Sequence, residues 1–121
     1  MIRREWHRFV NRCLWSWAGW RDAWASEPSL RFWSSVVALS SVLCLILPLV
    51  PGERLVILPL GVLVLAAELM NTGIERAVDL VSPQESDLAR RAKDAGSAAV
   101  ALTAIAGGVA WLVIVSRLLA G

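Results

Sequence analysis

The sequence contains one histidine and two cysteines in 121 residues. With His7 alone there is no His/Cys cluster to support zinc. Cys13 and Cys44 lie in different segments, one near an expected surface and one inside an expected span, and both read as free thiols. Excess charge is scarce too: 12 Lys+Arg against 10 Asp+Glu leave +2, too little for a nucleic-acid reading to start from. There is no Gly-x-x-x-x-Gly-Lys phosphate loop and no kinase-type glycine-rich loop. The Arg-rich N-terminus runs into a Trp-rich stretch rather than a short apolar core with a small-residue cleavage site, so no removable signal peptide is expected.

What is abundant is apolar surface. Hydrophobic residues make up 57% of the chain, too much for an ordinary soluble domain. One span of the hydrocarbon core takes about 20 apolar residues, so three spans use about 60 and leave about 60. That remainder cannot form a separate soluble core, and residues 1–121 are expected to make one all-α integral-membrane domain.

Residues 3–27 carry Trp6, Val10, Cys13, Trp17, Trp20 and Trp24 at intervals of three and four, with Arg4, Arg8, Asn11 and Asp22 off that stripe. This pattern predicts an amphipathic surface helix. Six of the seven tryptophans precede or open the first span, where indole rings favour the headgroup level. The first span is expected over about 33–50, closed by Pro48, Pro51 and Gly52, with Pro51-Gly52-Glu53-Arg54 as a short turn. The second starts near Leu55, passes Pro59 as a kink and leaves the membrane as a helix to about Leu80, where Ser82-Pro83 ends it. The third is expected over about 95–119 and is rich in Ala and Gly, which allow close helix contacts.

Ten basic residues fall before the first span and between the second and third, against Arg54 and Arg117 on the other side. The imbalance predicts a cytoplasmic N-terminus. Asp22, Glu27, Glu75, Asp79, Glu85, Asp87 and Asp94 share that side, so any chemistry faces the cytoplasm.

Glu68 follows six apolar residues with no adjacent cation, and an acid there is costly unless it is paired or protonated. Asn71, Thr72, Glu75 and Asp79 return near the same helix face. Glu68 lies about 10 Å deeper than Glu75 along the axis. The deeper carboxylate suits taking a proton from an alcohol, and the wetter one suits a hard divalent cation. Asn71 could orient either one. Glu27 could add a second oxygen ligand, but it is also spaced i,i+4 from Arg31 and could form an ion pair instead. A polar seam that only joins helices is the structural alternative.

Glu68-Leu-Met-Asn71-Thr-Gly-Ile-Glu75, then Val78-Asp79, then Ala92-Lys93-Asp94-Ala-Gly-Ser97 resemble the signature of the small prokaryotic diacylglycerol kinase family. The resemblance extends through Trp17, Gly19 and Arg21 and through Trp24, Glu27 and Arg31, and so spans nearly the whole chain. It implies a homotrimeric, three-span lipid kinase of the bacterial inner membrane that uses ATP and Mg²⁺, with composite sites at subunit boundaries and membrane lipids around it. By position, the resemblance implies Glu68 as general base supported by Asn71, and Glu27 and Glu75 as metal ligands. The ATP contacts would be Arg8, Trp15, Glu27, Glu75, Glu85, Ser86, Lys93 and Asp94, and the lipid contacts Arg8, Arg21, Trp24, Arg31, Glu68 and Ser97. Phe32-Trp33 and Gln84-Glu85-Ser86 depart from the family pattern. The implied substrate is diacylglycerol; undecaprenol, the substrate of another branch, is the alternative lipid. A non-catalytic three-span transporter or scaffold is the alternative class, separated from a kinase by whether ATP is consumed.

Overall fold

The computed structural model describes residues 2–121 as four helices in order: α1 (Ile2–Ser26), α2 (Pro28–Ile46), α3 (Pro51–Val81) and α4 (Asp87–Ala120). Three of them, α2, α3 and α4, are long and apolar enough to cross a membrane, and α1 precedes them. The 19 residues of α2 measure about 28 Å at 1.5 Å per residue, close to the hydrocarbon thickness. The 31 residues of α3 and 34 of α4 reach about 46 and 51 Å, so both overrun the apolar layer by several turns. These overruns carry the polar chemistry.

Helix boundaries follow proline and cap chemistry. Pro28 and Pro51 occupy the first positions of α2 and α3, where a missing N–H costs nothing. The helix that carries the first expected span runs from Pro28 to Ile46, and the connection to α3 is residues 47–50, with Pro51-Gly52-Glu53-Arg54, expected as the turn, already helical. Leu47 precedes Pro48 and is extended (φ −77, ψ 154), the conformation that a following proline imposes. α3 runs unbroken through Pro59. At the far end of the chain the helix α4, which carries the span expected over about 95–119, begins at Asp87, because Ser86 caps it with Oγ accepting from the Ala89 N–H at 3.2 Å.

α3 packs most extensively on α4 and next on α2, while α1 touches the bundle lightly. In lipid, helices associate through close packing and polar contacts rather than the hydrophobic effect. Gly61 is one such contact: a Cβ there would stand 2.9 Å from Val37 Cγ1, so glycine lets α2 and α3 approach. Trp111 donates its indole N–H to Ser40 Oγ at 2.8 Å, joining α4 to α2. Near the α2–α3 turn, Cys44, Leu49, Ile57 and Ile114 form a buried cluster. Arg117 closes it, donating through Nε to Glu53 Oε1 at 2.6 Å and through Nη2 to Glu53 Oε2 at 2.9 Å. The fork ties the start of α3 to the end of α4. Cys13 is exposed and Cys44 buried, both free thiols.

Candidate active site on the α3 stripe

Burial decreases along the polar face of α3. Glu68, Asn71 and Thr72 are buried at 4%, 9% and 5% exposure; Glu75 is half-buried and Asp79 exposed. Among the described residues, no hydrogen bond or ion pair reaches the Glu68 carboxyl group, so none of them offsets the cost of burying it. Asn71 donates through Nδ2 to Glu75 Oε1 at 2.9 Å. Of the two carboxylates open to it by sequence, the amide therefore orients Glu75, one helical turn further on, rather than donating to Glu68.

Beyond the stripe, Lys93, the only lysine in the chain, donates to Asp79 Oδ1 and links α4 to α3. That hydrogen bond holds the Lys93 ammonium above the ordinary lysine range, and the charges of Asp79, Glu75 and Glu85 add to it. Lys93 stays cationic at any physiological pH. A pocket of about 440 Å³ opens here at the α3–α4 connection, within the size range of small-molecule sites. Glu85, Ser86, Lys93 and Asp94 line it, so half of the expected ATP contacts share one wall. Arg90, which the sequence reading left unassigned, lines it too, forking to Asp94 Oδ2 at 2.8 Å and Asp87 Oδ1 at 2.7 Å.

Other expected site residues stand apart from that pocket. Arg8 pairs within α1 to Glu5 Oε1 at 2.8 Å, and Trp15 is 69% exposed. Arg21 and Ser97 are exposed, and Trp24 stacks on Trp20 with ring centroids 6.0 Å apart. Glu27 is the single residue between α1 and α2 and forms no ion pair with Arg31. Arg31 instead donates to the carbonyls of Trp24 and Ala25 at 2.6 and 3.3 Å, satisfying the open end of α1.

Arg76 is the residue that the sequence reading missed. It contacts Asp22 Oδ2, Ser26 Oγ at 2.7 Å and Glu27 Oε1 at 3.5 Å, all at the α1–α2 joint. Its neighbour in sequence is Glu75, so one guanidinium ties Glu27 to the end of the stripe. A cation beside Glu75 on a helix leaving the membrane was the available signal, but the 50-residue separation hid its partners. In Arg76→Ala, amide exchange at the α1–α2 joint is expected to rise and turnover to fall about tenfold or more through misplacement of Glu27, with α3 and α4 still protected. Unchanged exchange at the joint would show that the contact holds nothing.

The family model described as prokaryotic diacylglycerol kinase matches residues 14–115. Diacylglycerol kinase of Escherichia coli K12 is 32% identical over 107 residues, covering 88% of this chain and 88% of the relative. That of Pseudomonas aeruginosa is 38% identical over 112 residues, 88% and 87% of the two chains. The match takes in the whole α3 stripe, the Glu27 joint and the α3–α4 pocket. A multi-pass membrane chain with this breadth of likeness belongs to the prokaryotic diacylglycerol kinase family, and is a lipid kinase.

Proposed function

We propose that this lipid kinase transfers the γ-phosphoryl group of ATP to the hydroxyl of diacylglycerol, giving phosphatidic acid at the cytoplasmic face of the inner membrane. The observation that carries the reading is the α3 stripe: an unpaired, buried Glu68 lies two turns from a Glu75 held in place by Asn71. Glu68 takes the proton as the lipid oxygen attacks the γ-phosphorus, the bond from that phosphorus to the β–γ bridging oxygen breaks, and ADP leaves. A base at lipid depth meets a hydroxyl whose acyl chains stay in the bilayer. Lys93, Asp94, Glu85 and Ser86 flank the nucleotide at the α3–α4 pocket, with Lys93 positioned to neutralise phosphate charge.

Among the described residues, no three His, Cys, Asp or Glu side chains converge on one point. This suits magnesium, which keeps waters and is held by one or two carboxylates together with substrate phosphates. Glu75 and Glu27 are the residues that would hold it. When bound, the ion screens the charge of the phosphates.

Ten basic residues at the α1 end against Arg54 and Arg117 at the opposite end support a cytoplasmic α1. The Trp-rich face of α1 covers little of the bundle, and it rests in the headgroup layer, where the exposed Trp6 and Trp17 of that stripe meet lipid. The assembly is a homotrimer whose subunits share each site.

ADP release with diacylglycerol and undecaprenol, measured side by side in bilayers, tests the reaction. Release with diacylglycerol is expected; release with undecaprenol alone would transfer the protein to the polyprenol branch, and release with neither would defeat the kinase reading. In the same assay Glu27→Gln and Glu75→Gln are each expected to raise the Mg²⁺ concentration needed for half-maximal rate. Unchanged titrations in both would leave them surface carboxylates.

A further inference from the structure

Asn71 is buried, yet its Oδ1 accepts no hydrogen bond. The amide nitrogen is engaged with Glu75 Oε1 at 2.9 Å, so the oxygen must point the other way, across the helix interface toward α4. What it meets there is Gly96, itself buried in α4. A Cβ at position 96 would collide with Asn71 Oδ1 and would stand 3.4 Å from both Asn71 Cγ and Ile74 Cδ1. An unsatisfied buried acceptor costs stability, and this one lies against a glycine that leaves it room.

Turning the amide over would not relieve the oxygen. It would place Oδ1 against the Glu75 carboxylate, two acceptors face to face, and would lose the 2.9 Å bond. Rotating it away from α4 would also break that bond. The present orientation therefore depends on two neighbours, Glu75 attracting the nitrogen and Gly96 admitting the oxygen.

We propose that Gly96 is a positioning residue for the reaction: by lacking a side chain it holds the Asn71 amide where its nitrogen fixes the Glu75 carboxylate. The consequence for metal binding rests on the reading of Glu75 given above; the packing relation between Gly96 and Asn71 does not. Gly96 touches no reacting atom and acts only through Asn71.

Alanine is a better helix former than glycine, so helix propensity by itself makes Gly96→Ala stabilising. The proposal reverses the sign. Thermal unfolding is expected to show G96A less stable than the native protein, and the same substitution neutral or stabilising when Asn71 is already Ala. If G96A does not fold at all, a folded N71A/G96A supports the proposal. Equal destabilisation in both backgrounds, or loss of both folds, would place the cost in the helix packing at large and overturn it.

Two further readouts separate positioning from packing. The NMR resonance of the Asn71 side-chain amide is expected to move from its native position both in Glu75→Gln and in G96A. In the ATP and diacylglycerol assay, G96A is expected to lower turnover about tenfold or more and to raise the Mg²⁺ requirement in the direction of E75Q. A native Asn71 resonance in folded G96A would overturn the proposal. A Mg²⁺ titration unchanged in E75Q while the stability cycle behaves as expected would instead defeat the metal role of Glu75 and leave the Gly96 relation standing.

Discussion

Glu68→Gln is expected to lower turnover by about 10²-fold or more, the usual contribution of a general base, without loss of the folded assembly. Glutamine keeps the shape of the side chain and its capacity to hydrogen-bond, but its amide cannot accept the proton released as the lipid oxygen attacks. The structure makes this a clean substitution. Glu68 is 4% exposed and, among the described residues, takes part in no ion pair or hydrogen bond, so the change strands no partner. Removing a carboxyl group from a buried position with no cation is also expected to leave thermal stability equal or higher. Turnover measured with saturating diacylglycerol and ATP, beside a thermal unfolding curve, checks both halves. Near-native turnover would end the proposed role of Glu68, and an unfolded variant would show that the carboxylate serves the bundle instead.

Mixing two inactive chains is expected to restore activity. One carries Glu27→Gln and the other Glu68→Gln, so neither has a complete set within itself. Within one chain Glu27 faces Arg76 at the α1–α2 joint, and no three acidic, His or Cys side chains converge among the described residues. The shared site proposed above takes its remaining walls from a neighbouring subunit. If Glu27 of one subunit serves the Glu68/Glu75 stripe of another in a cyclic trimer, random mixing in equal amounts gives roughly a quarter of the sites both residues intact. Turnover near that fraction of native is expected from reconstituted mixtures shown to contain both chains. Were the site built within one subunit, every site in the mixture would lack one carboxylate and the mixture would stay inactive.

The α3 stripe was legible because a helix repeats its face: once residues 62–81 are helical, Glu68, Asn71, Thr72 and Glu75 must share one side, and the change from apolar to polar at Met70 sets the depth. The three spans were legible for a similar reason, since only apolar helices of sufficient length satisfy their own backbone in lipid. Boundaries were less so. The α2–α3 turn lies at residues 47–50 rather than at Pro51–Arg54, because proline suits the first position of a helix as well as the turn that follows one, and Pro51 opens α3.

What only the tertiary structure decided are the pairings between helices. Arg76 with Asp22, Ser26 and Glu27, Arg117 with Glu53, Lys93 with Asp79 and Asn71 Oδ1 against Gly96 join residues far apart in the chain. Periodicity states which residues share a face, and it carries no information about the rotation of one helix against the next. That rotation is set by close packing at small residues such as Gly61 and by hydrogen bonds such as Trp111 to Ser40. The sequence by itself determined the helices and the line of carboxylates on α3; the packing of α1, α2 and α4 on that line decided which cation faces which acid and that Asn71 serves Glu75.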